Sequence, residues 1–229
     1  MSTSTFSSSS PGASRSSATA EQHARKRLDY LLSKIASAAP APASGSAAAA
    51  VVATAAALVQ KVARLSVKHW AEAAEIHDRA EQLRLHGEEL IEEDSLAYLA
   101  FVEAIRSDRD VGAAQARTVE VPLEIVRAAA EVAALAEKSA SLGNPKLRAD
   151  GVVAAMLASA AAESAAYLVA VNLKEAAVGG RLGETADVRL DEARRLASEA
   201  SARLRSPGAR GSGDDPGRGR ARPAGSRRQ

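Results

Sequence analysis

Apolar positions recur at helical spacing through most of the chain. Between Glu21 and Ser37 they fall at Leu28, Leu31, Leu32 and Ile35, one face of a helix with 3.6 residues per turn. Pro40–Ser46 breaks the pattern and reads as a loop. Ala47–Leu65 follows as an alanine-rich helix, whose small side chains suit the centre of a bundle or a subunit interface. From Lys68 to Ile105 a long amphipathic stripe runs through Trp70, Ala73, Ala74, Ile76, Ala80, Leu83, Leu90, Ala97 and Phe101. Asp108–Gly112 reads as a connection, and Ala113–Glu120 is helical up to Pro122, which either kinks the helix or opens a new one at its first position. Leu123–Ser141 continues and stops at Gly143-Asn144-Pro145. Asp150 is placed to cap a helix over Gly151–Val178, which Gly179-Gly180 ends, and Asp187–Leu204 is a last amphipathic segment. No strand pattern and no internal repeat appears. The expectation is an all-α bundle of six or seven helices.

Composition strengthens this picture. Alanine dominates and aromatics make up 3% of the chain, against what a sandwich or barrel requires. There is no cysteine, which excludes disulfides, thiolate nucleophiles and Cys-ligated zinc, and fits a reducing, cytoplasmic setting. Residues 1–20 are Ser-rich low complexity and 205–229 are rich in Arg, Gly and Pro. Both are expected to be disordered and to flank a folded domain over 21–204. The leader has no compact apolar segment after basic residues, so it does not read as a secretory signal.

Charge is unevenly spread. Six Arg against two Asp lie in residues 206–229, and Arg15 stands alone in 1–19, so the formal charge of +2 becomes −3 in the middle of the chain. The basic pI therefore comes from the tail. That tail carries no aromatic residue to stack on bases, and a nucleic-acid partner is not expected. Ala47–Val59 is uncharged but alanine-rich and short, so it reads as a buried helix and not as a membrane span.

Little conventional catalytic chemistry is present. His23, His69, His77 and His86 do not fall at metal-ligating spacing, and no metal is expected. Phosphate-cradling glycine motifs and a nucleophile elbow are missing. Three places stand out. The Pro40–Ser46 loop opens straight into a helix, whose free N–H groups and dipole suit an anion, with Ser46 as a cap. The acidic run Glu88–Asp94 ends where Asp94 meets the apolar stripe, a place where partial burial raises a carboxyl pKa. Asn172 interrupts an apolar helix between Val171 and Leu173, and a buried amide needs partners. Asn144 and Asp150 are also explained as a helix stop and a helix cap.

These places fall in the order of one family. Pro40-Ala41-Pro42-Ala43-Ser44-Gly45-Ser46 resembles the P-x-P-G-G-G-S loop of the folate cyclodeaminase–cyclohydrolase family. Val62–Lys68 resembles its V-A-x-L-T-x-G-K segment, and Asp94–Tyr98 its D-x-x-A-[FY]. Val121–Ile125 is similar to V-P-L-E-I, Gly143-Asn144 and Asp150–Ala155 to G-N and S-D-x-x-V-A-A, and Val171–Lys174 to I-N-L-K. Ala43 and Ser44 stand where the family has two of its loop glycines, Val67 stands near the glycine before the lysine, and Ala149 replaces the serine before the aspartate.

The resemblance implies a cyclodeaminase-like helical fold and a homodimer with its site near the subunit interface. It implies a tetrahydrofolate derivative as substrate and no separate cofactor. The activity implied is hydrolysis of 5,10-methenyltetrahydrofolate to 10-formyltetrahydrofolate, or cyclisation of 5-formiminotetrahydrofolate with loss of ammonia. The alternative is a non-catalytic relative serving as a folate-binding or interaction scaffold. On the same resemblance Asp94, and after it Asp150, are the candidate catalytic carboxylates. Pro42, Ser44, Gly45, Ser46, Lys68, Asn144 and Asn172 are the candidate substrate-binding residues.

Overall fold

Alanine sets how closely the helices pack. In the computed structural model, which describes residues 28–180 and 185–203, a helical segment at 28–35 (α1) precedes α2 (Ser44–Arg64), α3 (Ala73–Ser107), α4 (Val111–Leu142), a 3₁₀ turn (Pro145–Leu147), α5 (Arg148–Val178) and α6 (Ala186–Arg203). The α2 helix lies among α3, α4 and α5, while α4 and α5 pair along their length and α6 packs on both. Its buried side is almost entirely small: Ala48, Ala49, Val52, Ala55, Ala56, Val59 and Ala63. On α5 the matching residues are Ala154, Ala155, Ala158, Ala161, Ala162 and Ala165. Such faces bring backbones together: a Cβ on Gly87 of α3 would stand 3.0 Å from the Ala53 nitrogen of α2. By length and hydropathy Ser44–Arg64 and Pro145–Val178 are apolar enough to cross a membrane, but both are core helices of the bundle here.

Several boundaries differ from the sequence expectation, each for a physical reason. The α2 helix begins at Ser44, three residues before Ala47, because its first turn is held from outside by another helix (below). The third helix starts at Ala73 and not at Lys68; Ser66 accepts N–H bonds from His69 and Trp70, turning the chain before the helix begins. Of its expected stripe, Ala74 is exposed and the other members are buried. Pro122 neither ends nor starts a helix: α4 runs through it. Asp150 is not a cap. Leu147 holds that position, and Asp150 sits in the first turn of α5, where its Oδ2 meets Lys61 Nζ at 3.0 Å. Asp108 and Asp110, both at φ 54°, make the α3–α4 turn, and aspartate tolerates that conformation better than most residues. In α1, Leu28 and Leu32 are exposed while Leu31 and Ile35 are half-buried, so the expected face is only partly covered. The expected leader 1–20, the tail 205–229 and His23 lie outside the described residues.

Candidate functional site

The start of α2 carries a buried polar cluster. The first N–H groups of a helix have no intrahelical acceptor, and Ala43, at the cap position, offers no side-chain bond. Asp94, reaching across from α3, takes over that role. Its Oδ2 accepts from the Ser46 N–H at 2.8 Å and from Ser46 Oγ at 2.9 Å. Ser46 is fully buried and is held further by the Ile91 carbonyl, to which its Oγ lies at 3.0 Å, and by Ser95 Oγ at 3.1 Å. Ser46 thus does not cap with its own side chain as expected; it is the residue being capped. The carboxylate also lies at the positive end of the helix dipole.

Gly45 makes this approach possible. A Cβ there would fall 1.9 Å from Asp94 Oδ1 and 2.5 Å from its Cγ, well inside contact distance. With both Ser46 bonds converging on Oδ2, Oδ1 is the oxygen left to exchange a proton with a ligand. Burial pushes the Asp94 pKa up, and the two Ser46 bonds hold it back only in part.

Asp94 lines a pocket of about 260 Å³ together with Pro40, Ala41, Ala43, Ser44, Gly45, Tyr98, Pro122, Leu168 and Asn172. It is the one ionisable carboxylate on a wall that is otherwise apolar or neutral. The volume lies just below the range of small-molecule sites, about 300–1,000 Å³. Ala43, at the loop's glycine position, has φ −140°, and Ser44 is already helical. Neither position needs the left-handed conformation that favours glycine. Their side chains instead add a methyl and a hydroxymethyl group to the pocket wall.

Asn172 enters from α5. Its Nδ2 donates to the Thr118 carbonyl of α4, and its own main-chain oxygen accepts from Gln115 Nε2 at 3.4 Å. Gln115 is 2% exposed and its Oε1 has no partner.

The structure therefore brings Ser44, Gly45, Asp94 and Asn172 to one pocket, with Ser46 directly behind it and Pro42 in the adjoining loop after a cis Ala41–Pro42 bond. It does not bring Lys68, Asn144 or Asp150 there. Those stand at the other end of α2, roughly 30 Å away at 1.5 Å per residue. Asn144 Oδ1 accepts from the Lys146 N–H, and its backbone N–H donates to Ser66 Oγ at 2.8 Å. Lys68 is exposed. Sequence reasoning left out Tyr98 and Pro122 as pocket residues. Tyr98 had a usable signal, since it follows Asp94 by four positions on the same helix face. Among the described residues no group of three or more His, Asp or Glu converges as a metal site.

Comparison with known proteins bears on the family and the fold. The sequence profile of the formiminotransferase-cyclodeaminase family matches residues 27–178. The chain is similar in structure to the formiminotetrahydrofolate cyclodeaminase of Thermotoga maritima, with a TM-score of 0.68 and 25% identity, over 76% of this chain and 90% of that one. No curated protein matches it.

Proposed function

The chain belongs to the formiminotransferase-cyclodeaminase family, whose members are cyclodeaminases and cyclohydrolases of folate metabolism, and we propose that it acts on the one-carbon bridge of a tetrahydrofolate. The observation that carries this reading is Asp94: a half-buried carboxyl with a raised pKa, one oxygen fixed by Ser46 and the other facing a pocket without a competing cation.

Such a group suits a reaction whose centre is a cationic amidine. In the hydrolytic direction, water adds to the bridge carbon of 5,10-methenyltetrahydrofolate. Asp94 Oδ1 takes the proton lost by that water. The adduct then breaks its bond to N5, which takes up a proton from Asp94. The product is 10-formyltetrahydrofolate, and the cation's charge leaves as one proton. In the cyclising direction, N10 attacks the carbon of a protonated 5-formimino group, and Asp94 takes the proton that N10 loses and passes it to the departing nitrogen, which leaves as ammonia while the cation's charge stays on the new bridge.

We place the reaction in the cytoplasm and the chain in a homodimer. The dimer is supported by an apolar stripe on α3, where Leu96, Leu99, Val102 and Ile105 are exposed at three-residue intervals beside the pocket's Tyr98. A second reading, a folate-binding scaffold without turnover, draws support from the side chains that Ala43 and Ser44 add to the pocket wall. One experiment decides between them: the ultraviolet absorbance of methenyltetrahydrofolate is followed with the wild-type chain and with Asp94→Asn. Acceleration over the spontaneous rate, lost in the variant, supports the enzyme. Binding without acceleration supports the scaffold, and unchanged turnover in Asp94→Asn removes Asp94 from its role.

A further inference from the structure

A proline inside a helix normally costs a hydrogen bond. It has no N–H for the carbonyl four residues back, and in α4 that carbonyl belongs to Thr118. A buried carbonyl without a donor is costly. Here the donor comes from another helix: Asn172 Nδ2 of α5 donates to the Thr118 oxygen. Because a carbonyl accepts only from a donor, the bond also decides which end of the Asn172 amide faces α4 and which is left over. Both Pro122 and Asn172 line the pocket. Behind them Gln115 Nε2 reaches Thr118 Oγ1 at 3.3 Å and the Asn172 main-chain oxygen at 3.4 Å, bracing the same two residues.

We propose that Pro122 is a positioning residue for Asn172: by leaving the Thr118 carbonyl without a backbone donor, it pins the Asn172 amino group to α4, so that Asn172 offers its carbonyl oxygen to the pocket and selects ligands whose bound edge carries N–H donors. With an ordinary residue at 122, the restored N–H would take the Thr118 oxygen. Asn172 would then be free to turn and present either end. An amino-pyrimidine edge, with neighbouring N–H and NH₂ groups, has the required chemistry. The inference rests on the folate reading for the identity of the ligand, but not for the orientation of the amide.

The test is a cycle between the two positions. Asn172→Asp sets a carboxylate against the Thr118 carbonyl with no donor between them, and a fall in Tm of at least about 5 °C is expected. Adding Pro122→Ala supplies the N–H, and at least half of that fall should be recovered. Should Asn172→Asp not fold alone, recovery of folded protein by the second change is the expected result. The same fall in both backgrounds, or no recovery, overturns the proposal.

The second readout is ligand selection with methenyltetrahydrofolate as probe. P122A/N172D keeps an acceptor at position 172, whereas P122A/N172L has none. The KM of the latter should be at least tenfold higher, with kcat within about threefold. A merely structural Asn172 would give the two doubles equal KM once both fold, and that result overturns the selection of N–H donors. If the wild-type chain neither binds nor converts the probe, the folate reading falls, while the thermal cycle still decides the orientation of Asn172.

Discussion

Replacing Gly45 with alanine is the sharpest probe of the site, because it adds one methyl group exactly where Asp94 already stands. The new Cβ would lie 1.9 Å from Oδ1, 2.5 Å from Cγ and 2.8 Å from Oδ2. The carboxylate must move by more than an ångström, and the bonds at 2.8 and 2.9 Å to Ser46 cannot survive such a shift. A hydrogen bond to a charged group contributes about 1.5–3 kcal/mol, and water recovers part of that in a half-exposed site. Alanine returns up to about 1 kcal/mol through its helix propensity. The balance is a loss of about 1–3 kcal/mol, a Tm fall of roughly 3–10 °C for a domain of this size. Gly112→Ala is the control: nothing lies within 4 Å of its Cβ, so that variant should gain roughly 0.5–1 kcal/mol. The cost of Gly45→Ala should vanish in an Asp94→Ala background, a coupling of about 1–3 kcal/mol. Turnover should fall at least tenfold, since displaced acid–base groups typically cost about 10²-fold or more. Urea denaturation and the absorbance assay read the two effects. Wild-type stability and turnover in Gly45→Ala, or an equal cost with and without Asp94, would refute the reasoning.

Other outcomes follow from the same geometry. Since the folded-state pKa of Asp94 is raised above its unfolded value, its contribution to stability is fully present below the unfolded pKa and is lost as pH rises through the folded one. Asp94→Asn should therefore gain stability relative to wild type as pH rises through that window, measured as the difference between paired denaturation curves. Restoring the family's loop with Ala43→Gly and Ser44→Gly widens the pocket wall without relieving any left-handed backbone, so KM for methenyltetrahydrofolate should fall severalfold with Tm unchanged or slightly lower. Asp150→Asn breaks a partly exposed ion pair with Lys61, so it should change stability by no more than about 1 kcal/mol. It should also leave turnover within about twofold; a loss beyond tenfold would show that both ends of α2 serve one site.

The parts of the fold that sequence displays are those fixed by local spacing. The alanine run of α2, the stripe from Ala73 to Phe101 and the glycine stop after Leu142 all carry their information within a turn or two. What was not legible depends on partners far along the chain. Asp94 and Ser46 are 48 positions apart, so no local rule says that a carboxylate from α3 caps α2 and moves its start to Ser44. Pro122 reads locally as a break; it is tolerated because Asn172, 54 positions from Thr118, supplies the missing donor. Lys68, Asn144 and Asp150 were named from the family's motifs, and within one chain α2 holds them at the end opposite the loop.

An interior made of alanine has a further consequence, for how the protein adjusts to change. Alanine has no rotamers, so it loses no side-chain freedom on burial, but neither can it turn aside to make room. A core of leucines absorbs an added methyl by repacking side chains. Where alanine faces alanine, as along the Ala55 and Ala158 faces of α2 and α5, an added methyl pushes on the helix itself more than on a side chain. Such a displacement travels undiminished along a rigid rod to its end, and the end of α2 is where Gly45 and Asp94 meet with no space between them. The bundle's middle is thus mechanically geared to its pocket: substitutions deep in the core should register first as lost activity, and only later as lost stability.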